Sequence, residues 1–291
     1  MKIYIIIVTY CPEIEHIKRI CSILTQNEAH VILVDNSEKC NLTDLYLKEN
    51  TSIIPLYFNS GIAHAQNVGI NEALTHGADI IVFFDQDSEI EHNFLPILIN
   101  PIVVGKPMVV GPVLIDSKSG NEYPSFIFNK LRLLKEVYGK EKLEPYPVDV
   151  VISSGTAATR EVFVIAGMMD EDFFIDFVDI EWAIRCRKNN IPILINPLAV
   201  MKHSIGISTV DLGIIKTIVH SHTRTYYKTR NPFLFLRKKN VPFLLGVKEI
   251  LAALIHQFFQ LFYVKEKKSY LKSYLSAIYD GIMGIKGCKK Q

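Results

Sequence analysis

The most restrictive feature of the sequence is a series of short, almost uninterrupted apolar runs in its first third. The runs that have the length of a strand are 3–8, 31–34, 53–58 and 80–84. Between them, apolar residues recur at helical spacing over 14–24 and 65–74. Strands that are apolar on both faces and alternate with helices are typical of a parallel sheet covered on both sides. The sequence therefore predicts an α/β fold.

Small polar and acidic residues follow each of these runs. They are Thr9 and Tyr10, Asp35 and Asn36, Asn59 to Gly61, and Asp85 to Asp87. Open parallel sheets bind their ligands at the carboxyl ends of the strands. We therefore expect these residues to share one edge of the sheet and to form a site there.

The rest of the first 200 residues continues the alternation less regularly. The predicted elements are strands over 108–115, 148–152 and 192–200 and helices over 159–166 and 179–189. The polar stretch from 116 to about 147 is predicted to be a loop or a small subdomain.

Charge divides the chain into two parts. The net charge of the whole chain is close to zero, since it has 32 Lys and Arg residues and 30 Asp and Glu residues. Residues 1–220, however, hold 18 basic and 27 acidic side chains, whereas residues 221–291 hold 14 and 3. We expect a globular domain over 1–220 and a helical, basic tail over 221–291. Because the tail's lysines alternate with apolar helix faces, it is predicted to lie on an anionic membrane surface, and nucleic acid is not expected as a partner. The alternative is that the tail helices pack on the globular domain or on a second subunit.

The cysteines and the first residues of the chain indicate the cellular compartment in which the protein is expected. Five scattered cysteines without a C-x-x-C pair favour neither a disulfide framework nor a zinc site. The first apolar run soon becomes charged and has no clear small-residue cleavage site, so we interpret it as a strand and not as a signal peptide. A reducing cytoplasm is the expected compartment.

Two acids one residue apart, Asp85 and Asp87, end the fourth apolar run. A hard divalent cation such as Mg²⁺ or Mn²⁺ takes carboxylate oxygens and keeps positions for phosphate oxygens. The pair therefore suits a nucleoside-diphosphate site, although a solvated turn has the same pattern. His203, after a later strand, is either a further metal or diphosphate ligand or a structural histidine.

The second and third strand ends indicate nucleotide binding. Asp35 can accept a hydrogen bond from the imide N–H of uracil or thymine, with Thr9 and Tyr10 beside the base; the alternative is an Asx turn through Asn36. Gly61 permits a close backbone approach, and a helix that starts there would direct N–H groups at an anion. The alternative is that Gly61 only separates the strand from the helix that follows it.

An acidic and aromatic segment lies over 173–185. Its acids are Asp176, Asp179 and Glu181. A carboxylate partly shielded by aromatic rings can have its pKa tuned to act as a general base toward a hydroxyl. The alternative for Asp179 is a helix N-cap.

Taken in order, these segments resemble the family 2 glycosyltransferases, and most closely their rhamnosyltransferase branch. The similar segments are VTYCPE, LVDNSE, NSGIAHAQNVGI, FFDQDS, ISSGTAATREVF, FFIDFVDIEWAIR and MKHSIG. The resemblance implies a GT-A fold, a Rossmann-like and mostly parallel sheet flanked by helices, here with a C-terminal helical, basic extension. It also implies a divalent metal and inverting transfer of a sugar from a nucleotide sugar.

The resemblance assigns roles to individual residues. It implies Asp179 as the catalytic base; Thr9, Tyr10, Asp35, Asn36, Gly61, Asn67 and Asp85 as donor-binding residues; and Asp85, Asp87 and His203 as metal ligands. The expected acceptor residues are Ser154, Gly155, Asp176, Glu181, Trp182 and Arg230. Val178 stands where many relatives carry Glu, which leaves Asp176 and Glu181 as alternative bases.

The resemblance alone implies dTDP-rhamnose as the first donor candidate and a UDP-sugar as the second. The expected acceptor is a glycan, lipid-linked if the tail binds a membrane, in cell-surface polysaccharide synthesis at the inner face of the cytoplasmic membrane. A membrane-associated sugar-nucleotide-binding module without turnover is an alternative of another class. A nucleotidyltransferase is disfavoured because VTYCPE has no glycine- and lysine-rich phosphate loop. A homo-oligomer is compatible with the sequence.

Overall fold

The computed structural model describes residues 1–40, 42, 50–117, 119–203, 209–211, 216–218, 221–264 and 266–289, with backbone only at 203, 209–211 and 216–218. The strands are β1 (Ile3–Thr9), β2 (His30–Asp35), β3 (Thr51–Pro55), β4 (Ile80–Asp85), β5 (Val109–Asp116), β6 (Ser125–Phe128), β7 (Leu134–Val137), β8 (Tyr146–Pro147), β9 (Ala157–Thr159), β10 (Ile193–His203), β11 (Thr209–Asp211) and β12 (Lys216–Ile218). The helices are α1 (Ile14–Thr25), α2 (Ile62–Thr75), α3 (Phe94–Ile99), α4 (Arg160–Ala166), α5 (Val178–Lys188), α6 (His222–Leu236), α7 (Phe243–Gln260) and α8 (Lys267–Met283), with a 3₁₀ turn at Glu171–Phe173.

The core of the molecule is an eight-stranded sheet in the order β3-β2-β1-β4-β9-β5-β10-β8. The first four strands are parallel to one another, and β10 is parallel to β5. β9 runs antiparallel between β4 and β5, and β8 runs antiparallel to β10. The prediction of a mostly parallel α/β sheet is confirmed.

The parallel register brings the predicted strand ends together. Thr9 lies opposite Asp35 on the neighbouring strand, and Val8 lies opposite Asp85 on the other neighbour. The polar residues that follow β1, β2 and β4 therefore share one edge of the sheet, as the alternation of strands and helices predicts.

Helices bury the apolar strands on both faces. One face packs against α1 and α3, and α1 contributes Ile17, Cys21 and Leu24 at helical spacing. The other face packs against α2, α4 and α5. Gly69 of α2 allows that helix to approach β1 closely, since a Cβ at this position would lie 2.6 Å from Cγ2 of Ile6.

One prediction in the middle of the chain was wrong. The segment 148–152 is not a strand, because Asp149 accepts the backbone N–H of Phe128 (2.5 Å) and only an isolated bridge joins Val150 to Phe126. The strand that enters the sheet is β9, which ends where the helix predicted over 159–166 begins, and that helix is confirmed as α4. The polar stretch before it contains the antiparallel hairpin of β6 and β7.

The predicted helical tail is present as α6, α7 and α8. Ser221 caps α6 by accepting a hydrogen bond from the backbone N–H of Arg224 (3.2 Å). Leu234, Phe235 and Leu245 belong to the same buried cluster as β1 and β4 side chains, so α6 and the start of α7 pack into the core of the globular part. The division of the chain at residue 220 stays a prediction, and residues 219–220 lie outside the described residues.

Gly69→Ala is expected to destabilise the protein although alanine is the better helix former. Insertion of a methyl group against Ile6 is expected to cost about 1–3 kcal/mol, as overpacking of a core does. Urea unfolding of the wild type and of Gly69→Ala measures this loss of stability. In an Ile6→Ala background the same substitution should be neutral or stabilising, and an equal loss in both backgrounds would contradict the packing argument.

Candidate functional site

The carboxylate of Asp35 forms the innermost part of the site. Its Oδ1 atom accepts hydrogen bonds from Thr9 Oγ1 (3.0 Å), Ser37 N (3.2 Å) and Ser37 Oγ (2.6 Å). Its Oδ2 atom is buried and has no hydrogen-bond partner. Because an unpaired buried carboxylate oxygen is costly, this atom is suited to accept a hydrogen bond from a ligand N–H.

The loop after β1 is joined to the turn after β4. The backbone N–H of Tyr10 donates to Gln86 Oε1 (2.7 Å), and Gln86 Nε2 donates to the carbonyl of Tyr10 (3.3 Å). The ring of Tyr10 is exposed at the rim. These bonds fix the backbone that follows Thr9, whose hydroxyl donates to Asp35.

Asn36 connects two strand ends instead of facing solvent. Its Nδ2 donates to Asn59 Oδ1 (3.1 Å), and its Oδ1 accepts from both the backbone N–H and the hydroxyl of Ser60 (2.7 and 2.8 Å). The side chain thus fixes the segment that leads from β3 into α2.

Gly61 makes its close approach to the protein's own chain. Its φ is 88°, and a Cβ would lie 2.6 Å from the carbonyl oxygen of Phe174. The same oxygen accepts the first N–H of α2, from Ile62 (2.7 Å). The structure therefore gives Gly61 a packing role, and that N–H is not directed at an anion.

Asn67 also bonds within the protein. Its Nδ2 donates to the Met169 carbonyl (3.0 Å) and to Glu171 Oε1 (2.7 Å), and its Oδ1 accepts from Met169 N (2.8 Å). Burial raises the pKa of Glu171, but the hydrogen bonds from Asn67 and His64 outweigh it and lower that pKa below its usual value. Asn67 therefore joins α2 to the segment that precedes α5. Both polar atoms of its side chain bind the protein and not a nucleotide sugar.

The two acids of the predicted metal pair occupy different surroundings. Asp85 ends β4, and its backbone N–H points to Ser88 Oγ (3.1 Å) and Ser154 Oγ (3.3 Å). Asp87 is exposed on the turn that follows. Carboxylate oxygens at an open sheet edge are the ligands that Mg²⁺ or Mn²⁺ prefers.

The end of β10 lies beside this turn. Lys202 forms an antiparallel bridge with Glu89, two residues beyond Asp87, and so places the backbone of His203 nearby. The side chain of His203 lies outside the described residues. Among the side chains that are described, no three His, Cys, Asp or Glu residues surround a common metal position. A cation held by one or two carboxylates and by substrate phosphates needs no such group.

Asp179 lies in the first turn of α5, where Ser153 Oγ donates a hydrogen bond to its Oδ1. Burial raises the pKa of this carboxyl above the usual value, the hydrogen bonds from Ser153 lower it in part, and the nearby charge of Asp176 raises it again. Ser154, the next residue, contacts the backbone of Asp85. One dipeptide therefore joins the predicted base to the strand end that carries the predicted metal pair.

Asp176 lies on the loop before Asp179 and pairs with cations of α6. Arg224 approaches its carboxylate at 3.1 Å and Lys228 at 3.9 Å. Gly155, between Ser154 and β9, has a φ of 75° and would place a Cβ 2.7 Å from Pro112. Ser154, Gly155 and Asp176 thus surround the segment that holds Asp179.

Three predicted acceptor residues lie in the interior, which corrects the sequence interpretation. Glu181 is buried, and both of its carboxylate oxygens accept from Arg185 Nε (2.9 and 2.8 Å). Trp182 is buried, donates to the Gly167 carbonyl (3.0 Å) and stacks on a phenylalanine ring. Arg230 is fully buried and donates to backbone carbonyls. They support the fold around Asp179 and do not face an acceptor, and Glu181 is not an alternative base.

Three residues of the site escaped the sequence analysis. Ser37 and Ser153 donate to Asp35 and Asp179, and Gln86 bonds to Tyr10. Ser37 stands two residues after Asp35, a spacing typical of a turn in which a carboxylate binds the following chain. Ser153 directly precedes a predicted residue, but its partner is 26 positions away, so only the fold identifies it.

The family and the relatives of the chain agree with this geometry. The model of glycosyl transferase family 2 matches residues 4–165, more than half of the chain. The chain belongs to this family. A dTDP-rhamnosyl transferase, RfbF of Shigella flexneri, is 40% identical over 287 residues, which cover 98% of this chain and 97% of the relative. The low-salt glycan biosynthesis hexosyltransferase Agl10 of Haloferax volcanii is 28% identical over 195 residues, which cover 65% of this chain and 62% of the relative.

Solved structures establish the fold of this family 2 glycosyltransferase as GT-A. GalNAc-T7 with UDP, GalNAc and Mn²⁺ superposes with a TM-score of 0.62 at 15% identity, over 97% of this chain and 56% of that one. S. aureus TarS 1–349 with UDP-GlcNAc superposes with a TM-score of 0.54 at 16% identity, over 98% and 82%. The chain is thus a glycosyltransferase with the predicted architecture.

Ser153→Ala is expected to raise the pKa of Asp179 further, because the hydroxyl stabilises the carboxylate. The folded variant then binds the proton to a higher pH, so its stability relative to the wild type falls as pH rises through the wild-type pKa toward the higher one. Carbon-detected NMR titration of the Asp carboxyls, assigned with Asp179→Asn, measures the shift. Ser154→Ala is the matched control, and an equal shift in both variants would contradict the pairing.

Proposed function

We propose that this glycosyltransferase transfers rhamnose from dTDP-rhamnose to a hydroxyl of a glycan acceptor with inversion at the anomeric carbon. The observation that carries the proposal is the near-full-length similarity to the dTDP-rhamnosyl transferase RfbF. Such coverage includes the sheet edge, the base segment and the tail, so the similarity extends over every segment that carries a proposed site residue.

Nucleotide recognition begins at Asp35. Its buried, unpartnered Oδ2 atom would accept the imide N–H of thymine, and the exposed Tyr10 directly follows Thr9, which bonds to the same carboxylate. Uracil carries the same imide, so a UDP-sugar is the second candidate. Thymine differs from uracil only in its methyl group. The relative turnover of dTDP-rhamnose and UDP-sugars therefore decides between the two donors.

Asp87 and Asp85 would hold a divalent cation, either Mg²⁺ or Mn²⁺, with His203 as a further ligand. A cation there, when bound, offsets the negative charge that develops on the departing nucleoside diphosphate. The exposed carboxylate of Asp87 is the better placed of the two for direct coordination.

Asp179 acts as the general base. Burial raises its pKa, and a carboxylate with a raised pKa is a stronger proton acceptor. It removes the proton of the acceptor hydroxyl, whose oxygen forms a bond to the anomeric carbon as the bond to the diphosphate oxygen breaks. A single displacement of this kind inverts the configuration. Ser154, Gly155 and Asp176 line the acceptor side.

Asp87→Ala and Asp179→Asn are expected to separate binding from chemistry. Calorimetry with dTDP, with and without Mn²⁺, should show that Asp87→Ala loses the metal-dependent part of donor binding. Asp179→Asn should bind dTDP as the wild type does but lose at least about 100-fold in transfer from dTDP-rhamnose, the usual contribution of a general base.

Normal transfer by Asp179→Asn would place the base elsewhere, with Asp176 as the remaining candidate. Faster turnover of UDP-sugars than of dTDP-rhamnose would favour the second donor. Binding of nucleotide by the wild type without turnover of any donor would support the binding-module alternative and contradict the proposal.

We also propose that the tail holds the enzyme on a membrane through α7. This helix has 18 residues, a mean hydropathy of 1.2 and only 22% of its residues buried. Its polar Gln257 and Gln260 face the protein, whereas Leu251, Ile255 and Phe259 are more than half exposed. A helix that buries glutamines and exposes large apolar residues is the reverse of a soluble surface helix.

The occupant of this face is inferred from the charges beside it. Lys267, Lys268 and Lys272 are exposed at the start of α8, and Leu271 and Leu275 form an exposed apolar stripe on the same helix. Lysines that flank apolar faces suit an anionic bilayer surface. The enzyme would then work at the inner face of the cytoplasmic membrane, where its cysteines stay free, on a lipid-linked glycan.

The double variant Phe259→Gln, Phe262→Gln is expected to lose co-sedimentation with vesicles that contain phosphatidylglycerol, because both side chains are exposed on the apolar face. Leu131→Gln, Leu143→Gln, equally exposed but in the globular part, is the matched control. Vesicles of phosphatidylcholine alone should bind the wild type more weakly. A wild type that stays in the supernatant, or that forms a dimer through this face by ultracentrifugation, would overturn membrane attachment.

A further inference from the structure

The turn directly before the predicted base has an unfavourable backbone. Phe174 has φ 62° and ψ −58°, and Ile175 N donates to the Phe173 carbonyl (2.7 Å), which is a three-residue γ-turn with the rarer sign. Asp176 and Phe177 also have positive φ, 62° and 69°. Non-glycine residues in such conformations persist only where neighbouring groups hold them in place.

Asn231 of α6 makes several of the hydrogen bonds that stabilise this conformation. Its Nδ2 atom lies within hydrogen-bond distance of three carbonyl oxygens of the turn, those of Phe173 (2.9 Å), Ile175 (2.6 Å) and Asp176 (3.2 Å). Its Oδ1 atom accepts from Arg230 Nε and Nη2 (3.0 and 2.8 Å). Both side chains are fully buried, so water does not replace these bonds.

Arg230 extends the connection to the end of the chain. Its Nη1 donates to the Gly287 carbonyl (2.6 Å), and Gly287 N donates to the Asp172 carbonyl (2.9 Å). The Asp172 carboxylate pairs with Lys238 (2.7 Å) and Lys286 (3.0 Å). These pairs keep the pKa of Asp172 below its usual value, although burial alone would raise it. The final described segment and α6 thus bind the turn from one side.

The donor side of the molecule binds the same turn from the other side. The Phe174 carbonyl accepts from Ile62 N (2.7 Å), and its ring stacks on Tyr227 of α6 at 4.6 Å between centroids. The turn is therefore held between α2, which begins at the donor edge, and α6, which belongs to the basic tail. Its far end leads directly into α5 and Asp179.

We propose that Asn231 and Arg230 are positioning residues for the catalytic base: they hold the turn at 173–177 in its unfavourable conformation and thereby orient Asp179. The proposal rests on the assignment of Asp179 as the base. Loss of the Nδ2 donor leaves three carbonyl oxygens without that partner and lets the turn relax to ordinary φ values. The start of α5 then rotates, and displacement of a reacting group by about 1 Å is enough to cost about 100-fold in rate.

Asn231→Asp tests the proposal with almost no change in volume. The Oδ1 acceptor for Arg230 stays, while an oxygen replaces the nitrogen that faces the carbonyls. We expect kcat with dTDP-rhamnose to fall about 10- to 100-fold, with the Kd of dTDP and Mn²⁺ and the donor KM within about twofold of wild type, because Asp35 and Asp87 lie on other elements. A merely structural defect would lower the active fraction, so the calorimetric stoichiometry of dTDP binding would fall in proportion to kcat, whereas the proposal predicts that this stoichiometry stays at the wild-type value.

Two further variants keep the test decisive. Asp172→Asn breaks the pairs with Lys238 and Lys286 without touching the turn, and a several-fold fall in kcat at unchanged donor binding is expected even if Asn231→Asp does not fold. Asp280→Asn is the matched control, since Asp280 accepts from Tyr226 Oη (2.5 Å) within the tail and does not contact the turn; its kcat should stay at the wild-type value.

The outcomes separate this proposal from the base assignment. If Asp179→Asn abolishes transfer while folded Asn231→Asp and Asp172→Asn keep the wild-type kcat, the positioning role is wrong. If Asp280→Asn lowers kcat as much as Asp172→Asn, the tail acts only through stability and the proposal is overturned. If Asp179→Asn transfers normally, the base assignment fails first.

Discussion

The hydrogen bonds made by two adjacent serines, one as donor and one as acceptor, are the constraint on which the site depends. Ser153 binds the carboxylate of Asp179, and Ser154 contacts the end of β4 at Asp85. The serines lie in the short connection to β9, whose antiparallel entry between β4 and β5 brings that connection to the sheet edge. This strand therefore helps to hold the acidic turn after β4 and the start of α5 together.

We propose that the tail contributes to catalysis and to membrane attachment through different surfaces. The inner side of α6 buries an arginine and an asparagine against the turn before Asp179, and the outer sides of α7 and α8 expose apolar residues among lysines. A long tail that only anchored the enzyme would not need buried hydrogen bonds to the base segment. In this account the same helices attach the enzyme to a surface and fix its general base.

Sequence patterns predicted the parts of the site that local chemistry determines. Apolar runs followed by acids placed Asp35 and Asp85 at one sheet edge, because parallel strands end together. Gly61, Asn67 and Arg230 were given ligand roles, since nothing local distinguishes a group that contacts a ligand from one that contacts a distant carbonyl. The partners of Asn67 and Arg230 lie 102 and 57 residues away. The strand β9 was missed because its 3 residues are too few to form a pattern in the sequence.

The central claim is that one bound nucleotide lies between Asp35, the acidic turn after β4 and Asp179. A crystal structure of the protein with dTDP and Mg²⁺ tests it most directly. We expect the thymine N3 atom about 2.8 Å from Asp35 Oδ2, the cation about 2.1 Å from an Asp87 oxygen, and the carboxylate of Asp179 facing the same nucleotide. A nucleotide bound away from Asp35, or Asp179 opening onto a separate cavity, would contradict the account.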